Sequence, residues 1–255
     1  MTKVILFSDL HCNHKQLSNL SDYLVGNKEI EALVFAGDAV NMGEPVSFME
    51  QFIKVIDNIG KPFLWVPGNN DFGRAYHKLN AKYKSLEGRV AKLPSTCHPE
   101  HIRQSQCKLR EGSPSFTGVG GSPASWAGQY QGEKMIDQQE IAGSIFVSHY
   151  PPPGQYHLEK YDQPRSSFPP AVISTHRGQS GAEKSPDKSL YAIRNTPYVN
   201  RQFSNAPKVH LCGHLHYKWG TGFIGQTKII QLASLETGHY AILDLESLAV
   251  NFERF

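Results

Sequence analysis

Cysteine is scarce in this sequence and is not spaced for a disulfide framework or a zinc ribbon. The four cysteines among the 255 residues are Cys12, Cys97, Cys107 and Cys212. No two of them form the CxxC pair that usually marks a structural zinc site, and their density is far below that of small disulfide-bonded secreted proteins. We therefore expect a reduced, cytoplasmic protein.

Long apolar runs are also missing. The first clean apolar stretch, residues 4–7, is much shorter than the apolar region of a secretory signal or a membrane-spanning helix. We therefore expect neither export nor a membrane partner.

The chain has no large excess of charge of one sign. It contains 26 Lys and Arg residues against 23 Asp and Glu residues, which leaves a formal net charge of +3. No run of basic residues concentrates this excess, so the sequence does not indicate a nucleic-acid partner. The hydrophobic fraction of 39% is enough for a substantial core and excludes a disordered chain. With no internal repeat and no linker, we predict a single domain over residues 1–255.

Five short apolar runs predict the central strands of the fold. Each has four or five residues rich in β-branched or aromatic side chains, which is typical of a strand buried on both faces. The runs are residues 4–7, 32–36, 63–66, 144–147 and 209–212. Helical periodicity in residues 17–25 and 46–56 separates the first three runs, so we predict a parallel β-α-β-α-β unit in an α/β fold.

The rest of the chain is less regular. Residues 74–86 predict a further helix, residues 116–119 a further strand, and the short segments after residue 216 an antiparallel meander that closes a second sheet. Many Pro and Gly residues make residues 151–186 a long loop, which we expect to form a lid or a wall of the substrate pocket. Residues 95–112 contain two Cys and two His, which leaves either a small metal knuckle or, in better agreement with their spacing, a solvated insertion.

Asp, Asn or His side chains follow each of the five central strands. In chain order they are Asp9 and His11, then Asp38, then Asn69 with Asn70 and Asp71, then His149, and finally His214 with His216. Ligands of α/β proteins bind beyond the carboxyl ends of the strands, and unrelated buried polar groups at all these places would be energetically costly. A mixture of carboxylates, imidazoles and a carboxamide suits Mn, Fe, Zn or Co.

The number of these side chains predicts two divalent metal ions rather than one. Seven or eight ligands exceed what a single ion takes, and two ions that share a bridging carboxylate would use them all. Two metals roughly 3.5–4 Å apart hold the attacking and departing oxygens of an in-line displacement, and they lower the pKa of a bound water toward about 7. This chemistry is the transfer of a phosphoryl group to water.

The same residues resemble the five motif blocks of the calcineurin-like metallophosphoesterase superfamily. The blocks are Asp9-x-His11, Gly37-Asp38, Gly68-Asn69-Asn70-Asp71, His149 and Gly213-His214-x-His216. The resemblance implies an α/β fold of two sheets flanked by helices, in four layers. It also implies a hydrolase of a small phosphoester, with a metal-bridging hydroxide as the nucleophile and manganese among the candidate metals. By the same resemblance, one ion is held by Asp9, His11 and His216, the other by Asn69, His149 and His214, and Asp38 bridges them.

The third block departs from the family pattern, which usually has His after the first Asn. Here the position is Asn70, whose carboxamide cannot deliver a proton, and the loss of a general acid costs on the order of 10²–10⁴ in rate. We therefore predict a phosphodiesterase rather than a monoesterase, with Asn70 and Asp71 as catalytic residues. We also expect Asn13, Asn70 and His176 to contact the substrate.

Two other functions remain open. A non-catalytic interaction scaffold of the same fold would have a degraded metal site, whereas all seven ligand positions are intact here. A nuclease of the same superfamily would need a basic groove interleaved with aromatic residues, and the sequence contains no such cluster. The sequence does not indicate an oligomeric state.

Overall fold

The computed structural model describes residues 2–43, 46–93, 114–121, 141–152 and 206–255. The described strands are, in chain order, β1 (Lys3–Phe7), β2 (Ile30–Phe35), β3 (Phe63–Trp65), β4 (Val90–Lys92), β5 (Ser115–Val119), β6 (Ile145–Ser148), β7 (Val209–Cys212), β8 (Gly220–Ile224), β9 (Thr227–Gln231), β10 (His239–Asp244) and β11 (Val250–Arg254). The described α-helices are α1 (His14–Gly26), α2 (Val46–Ile59) and α3 (Gly73–Lys82). The helix predicted over residues 74–86 therefore ends four residues early.

The strands form two mixed sheets. The first has the order β11-β10-β1-β2-β3, and the second has the order β4-β5-β6-β7-β9-β8. The predicted β-α-β-α-β unit is confirmed, because β1, β2 and β3 pair in parallel with α1 and α2 between them. The α/β architecture of two sheets with flanking helices is likewise confirmed.

The predicted meander at the end of the chain is wrong. Only β8 and β9 extend the second sheet, whereas β10 pairs antiparallel with β1 and β11 pairs with β10 in the first sheet. The sequence pattern identifies these segments as strands but carries no information about their partners. Tertiary packing decides the pairing, since β10 buries Ala241 and Leu243 between the two sheets.

Alternation along β1 explains how the layers are held together. Ile5 and Phe7 face the three helices, and Val4 and Leu6 face the second sheet. Successive side chains of a strand point to opposite faces, so one apolar run supplies both cores. The helices therefore cover one face of the first sheet, and the second sheet covers the other. None of the described helices is long and apolar enough to cross a membrane.

Several predicted features lie outside the described residues. They include the segment 95–112, His176 and all but the first two residues of the predicted loop 151–186. The structure therefore leaves the predicted roles of these segments untested.

Candidate metal centre

The candidate ligands lie where strands of both sheets end. Asp9 follows β1 of the first sheet, and His149 follows β6 of the second. Backbone hydrogen bonds join neighbouring ends within each sheet. The Asp9 amide donates to the Gly37 carbonyl at 2.8 Å, and the Gly213 amide donates to the His149 carbonyl at 3.0 Å. Loops distant in sequence are thereby held at one edge of the sandwich.

The backbone at these ends is strained. Four candidate ligands have a positive φ, which side chains with a Cβ rarely adopt: Asp9 (55°), His11 (47°), Asp38 (62°) and His214 (66°). Each such residue costs about 1–2 kcal/mol relative to an ordinary conformation. Among the other described non-glycine residues, only Cys12 and Leu248 have a positive φ. Strain concentrated in this way is typical of functional sites.

The first group of candidate ligands consists of Asp9, His11 and His216, whose ligand atoms lie within 4.8 Å of one another. His11 Nε2 lies 3.0 Å from His216 Nε2. Asp9 Oδ1 lies 3.7 Å from His11 Nε2 and 3.3 Å from His216 Nε2. The structure thus brings together the three residues that the resemblance assigns to one metal ion.

The second group consists of Asp9, Asp38 and His149. His149 Nε2 lies 3.4 Å from Asp38 Oδ2 and 4.0 Å from Asp9 Oδ1. Asn69 joins this group, because its Oδ1 lies 3.0 Å from His149 Nε2. Asp38 Oδ2 also lies 3.8 Å from His11 Nε2, so this oxygen faces both groups. Both carboxylates are therefore within reach of two ion positions.

His214 lies beside the second group. Its backbone amide donates to Asp9 Oδ2 at 2.9 Å, and its ring centroid lies 5.1 Å from that of His149. The ring stacks on Tyr150, with centroids 3.8 Å apart and an interplanar angle of 25°. Burial, together with the nearby His149, lowers the pKa of His214 to about 4. The imidazole is therefore neutral, which is the form that binds a metal ion.

The charges in the site attract a cation. Burial alone would raise the pKa of Asp9, but His11 and His216 hold that pKa well below its usual range. Burial alone would lower the pKa of His149, but the carboxylates of Asp38 and Asp9 raise it to about 9. The buried carboxylates thus stay ionised and need positive charge nearby. The same carboxylates raise the pKa of His11, so an imidazolium can supply this charge, and a divalent cation would supply it with neutral imidazoles.

The hydrogen bonding of the candidate ligands is also consistent with a bound metal ion. Asp9 is fully buried, and its Oδ1 makes no hydrogen bond to the described part of the chain. A buried carboxylate oxygen without a partner is costly, and metal coordination satisfies it. Carboxylate, imidazole and carboxamide donors together suit Mn, Fe, Zn or Co.

Two glycines allow the loops to come this close. A Cβ at Gly68 would lie 2.0 Å from Asp38 Oδ1, and a Cβ at Gly213 would lie 2.8 Å from Asp9 Oδ2. Real Cβ contacts are essentially never shorter than 3.0 Å. A side chain at Gly68 would therefore displace Asp38, and one at Gly213 would displace Ser8 and crowd Asp9.

Asn70 and Asp71, the predicted catalytic residues, both contact the loop that carries Asp38. Asn70 donates to Asp38 Oδ1 from its backbone at 2.8 Å and to Oδ2 from its carboxamide at 2.7 Å. Burial and the charge on Asp38 raise the pKa of Asp71 to about 6. The Asp71 carboxylate accepts hydrogen bonds from the backbone amides of Asp38, Ala39, Val40 and Gly68. Asp71 thus holds the Asp38 loop in place, and a catalytic role for either residue stays a prediction.

The side chain of Asn13 is engaged within the protein. Its Oδ1 accepts a hydrogen bond from the Gln16 amide as the N-cap of α1, and its Nδ2 donates to the Glu236 carbonyl, both at 3.1 Å. Substrate contacts by Asn13, Asn70 and His176 stay predictions.

Two residues that hold candidate ligands in place were not predicted from the sequence. Asn41 Oδ1 lies 3.0 Å from His11 Nδ1, the kind of second hydrogen bond that orients a metal-binding imidazole. Ser234 Oγ donates to the Asp9 carbonyl at 2.7 Å. The position of Asn41, three residues after Asp38, could have suggested its role. The contact of Ser234 joins residues 225 positions apart and leaves no local signal.

The chain matches one protein-family model and is similar to several solved structures. A model of the calcineurin-like phosphoesterase family matches residues 2–218. Among solved structures, the chain is similar to TT1561 of Thermus thermophilus, with 12% identity, a TM-score of 0.58, and 99% of this chain and 98% of that chain covered. It is also similar to the phosphopantetheinyl hydrolase PptH of Mycobacterium tuberculosis, with 14% identity, a TM-score of 0.49, and 92% and 90% covered. No curated protein matches. At such identity the likeness to TT1561 shows the fold alone.

Proposed function

The chain belongs to the calcineurin-like phosphoesterase family, and on that premise we propose that it is a two-metal phosphodiesterase acting on small phosphodiesters. The observation that carries the proposal is that two groups of ligand atoms share the Asp9 carboxylate, with Asp38 Oδ2 of the second group 3.8 Å from His11 Nε2 of the first. Two bound ions would lower the pKa of a bound water and balance the charge of the phosphate. The proposal includes a cytoplasmic location, which the lack of paired cysteine spacing supports.

Different residues would coordinate each of the two ions. Asp9 Oδ1 and Asp38 Oδ2 supply fixed negative charge at the centre of the site. His11 and His216 would complete one position, and His149 with Asn69 and His214 would complete the other. Asn41 on one side and the Ala36 carbonyl on the other hold the distal nitrogens of His11 and His149, at 3.0 Å and 2.8 Å. These hydrogen bonds orient the two rings with their Nε2 atoms toward the other candidate ligands.

The preference for diesters rests on Asn70. Its carboxamide cannot protonate a departing alkoxide, and its N–H groups are directed at Asp38. A phosphodiester carries one negative charge fewer than a dianionic monoester, so it requires less positive charge from the site. Esters with leaving groups that need no proton are therefore the expected substrates.

The two rival functions are less well supported. A scaffold would not need a buried carboxylate oxygen such as Asp9 Oδ1, which makes no hydrogen bond within the described part of the chain. A nuclease would need clustered positive charge, and the net charge of +3 is spread along the sequence.

The experiment combines elemental analysis with a substrate panel. Asp38→Asn should lose most of both metal ions, because one of the two central negative charges is removed. Asp22→Asn makes the same chemical change on the exposed side of α1 and should keep the wild-type metal content. The wild type should hydrolyse bis(4-nitrophenyl) phosphate faster than 4-nitrophenyl phosphate. Retention of two equivalents of Mn or Zn and of full activity by Asp38→Asn would refute the ligand assignment, and a wild type without hydrolase activity would favour the scaffold.

A further inference from the structure

A solvent-exposed tyrosine is fixed beside the first group of candidate ligands. Tyr217 directly follows His216 and is 71% exposed. The Lys218 amide donates to the Leu215 carbonyl at 2.8 Å, which closes a turn with His216 and Tyr217 at its centre. The Tyr217 ring centroid lies 6.3 Å from that of His216. The turn therefore holds the backbone of Tyr217 directly beside a candidate ligand.

A second exposed apolar residue is adjacent in sequence to the residue that supports His11. Asn41 holds His11, and Met42 follows Asn41 with 51% exposure. His11 Nε2 and His216 Nε2 are 3.0 Å apart, so Met42 and Tyr217 each follow a residue that forms or supports the same histidine pair.

Single exposed apolar residues are ordinary on protein surfaces, so position has to decide whether one is functional. The other large apolar residues that are exposed among the described residues lie on elements away from the ligand loops: Val25, Val90, Phe223 and Ile224. Tyr217 differs from these because it is adjacent to a candidate ligand and sits in a hydrogen-bonded turn. An exposed aromatic ring beside a candidate ligand offers a face for a planar group of the substrate.

We propose that Tyr217 forms an aromatic subsite that binds a planar, apolar ester group of the substrate next to the phosphate. The inference rests on the proposed function, since it assigns one organic group of the diester to the side of Asp9, His11 and His216. The substrate class is then a phosphodiester with at least one aromatic or nucleoside-like group, rather than one with two small alkyl groups.

The test measures binding without turnover. The probes are phenylphosphonate and methylphosphonate, which share the phosphonate and differ in the organic group. Their dissociation constants are measured by calorimetry on Mn²⁺-loaded wild type, Tyr217→Ala and Tyr217→Phe. Phe223→Ala is the matched control, because Phe223 is an exposed aromatic residue (54%) on the edge strand β8.

The wild type should prefer phenylphosphonate by about three- to tenfold, the range expected for one aromatic contact. Tyr217→Ala should lose most of this preference while binding methylphosphonate and metal as the wild type does. Tyr217→Phe and Phe223→Ala should keep it. An equal preference in wild type and Tyr217→Ala overturns the subsite, as does a wild type that binds both probes equally or binds neither. Turnover of diesters is assayed separately, so a protein that shows the preference but hydrolyses nothing overturns the proposed function and not the subsite.

Discussion

Replacing Gly68 by Ala should disable the metal centre by displacing Asp38. The added Cβ would lie 2.0 Å from Asp38 Oδ1 and 2.4 Å from the Asp38 backbone nitrogen, whereas ordinary contacts begin at 3.4 Å. The clash with the backbone cannot be relieved by rotation of a side chain, so the Asp38 loop must move by about 1 Å or more. Such a displacement of a positioned group costs roughly 100-fold in rate, and overpacking costs about 1–3 kcal/mol of stability.

The assay follows metal content, kcat/KM with bis(4-nitrophenyl) phosphate, and the midpoint of urea unfolding. We expect Gly68→Ala to fold, to bind less metal, and to lose activity by about 100-fold or more. Gly26→Ala is the control, because a Cβ at Gly26, the last residue of α1, would meet nothing within 4 Å. If Gly68→Ala retained two metal equivalents and activity within threefold of wild type, the close approach of this loop to Asp38 would not matter for the site.

Two further predictions concern single side chains. Asn70→His should raise the turnover of alkyl esters and weaken the dependence of kcat/KM on leaving-group pKa, because an imidazole can protonate the departing oxygen; an unchanged dependence would mean that another group supplies the proton. Burial lowers the pKa of His210 to about 3, so below pH 6.5 this side chain takes up a proton when the protein unfolds. His210 should therefore lower the free energy of unfolding by about 2 kcal/mol between pH 7 and pH 5. Urea unfolding of His210→Asn across this range should therefore show a flatter pH dependence than wild type or the exposed control His77→Asn, and parallel curves for all three would contradict the shift.

Local patterns in the sequence determined the central strands and the chemistry at their ends. Short β-branched and aromatic runs predict β1, β2 and β3, and the intervening helical periods predict their parallel pairing, because both signals depend only on neighbours along the chain. The polar residues after these strands predict a metal site for the same reason. A strand end is defined locally, and Asp or His buried at several such ends is costly unless a cation binds there. The structure brings Asp9, His11 and His216 to within 4.8 Å of one another, as that reasoning requires.

Tertiary structure alone decided how these pieces meet. The partner of β10 is β1 rather than β9, because pairing depends on which surfaces are buried together and not on the alternation within a strand. The role of Asp71 as an acceptor for the Asp38 loop depends on backbone amides about 30 residues away. The support of Asp9 by Ser234 spans 225 residues, and the exposure of Tyr217 depends on what packs around it. Contacts of this kind come from the path of the chain in space, so the residue types that make them carry no signal in the local sequence.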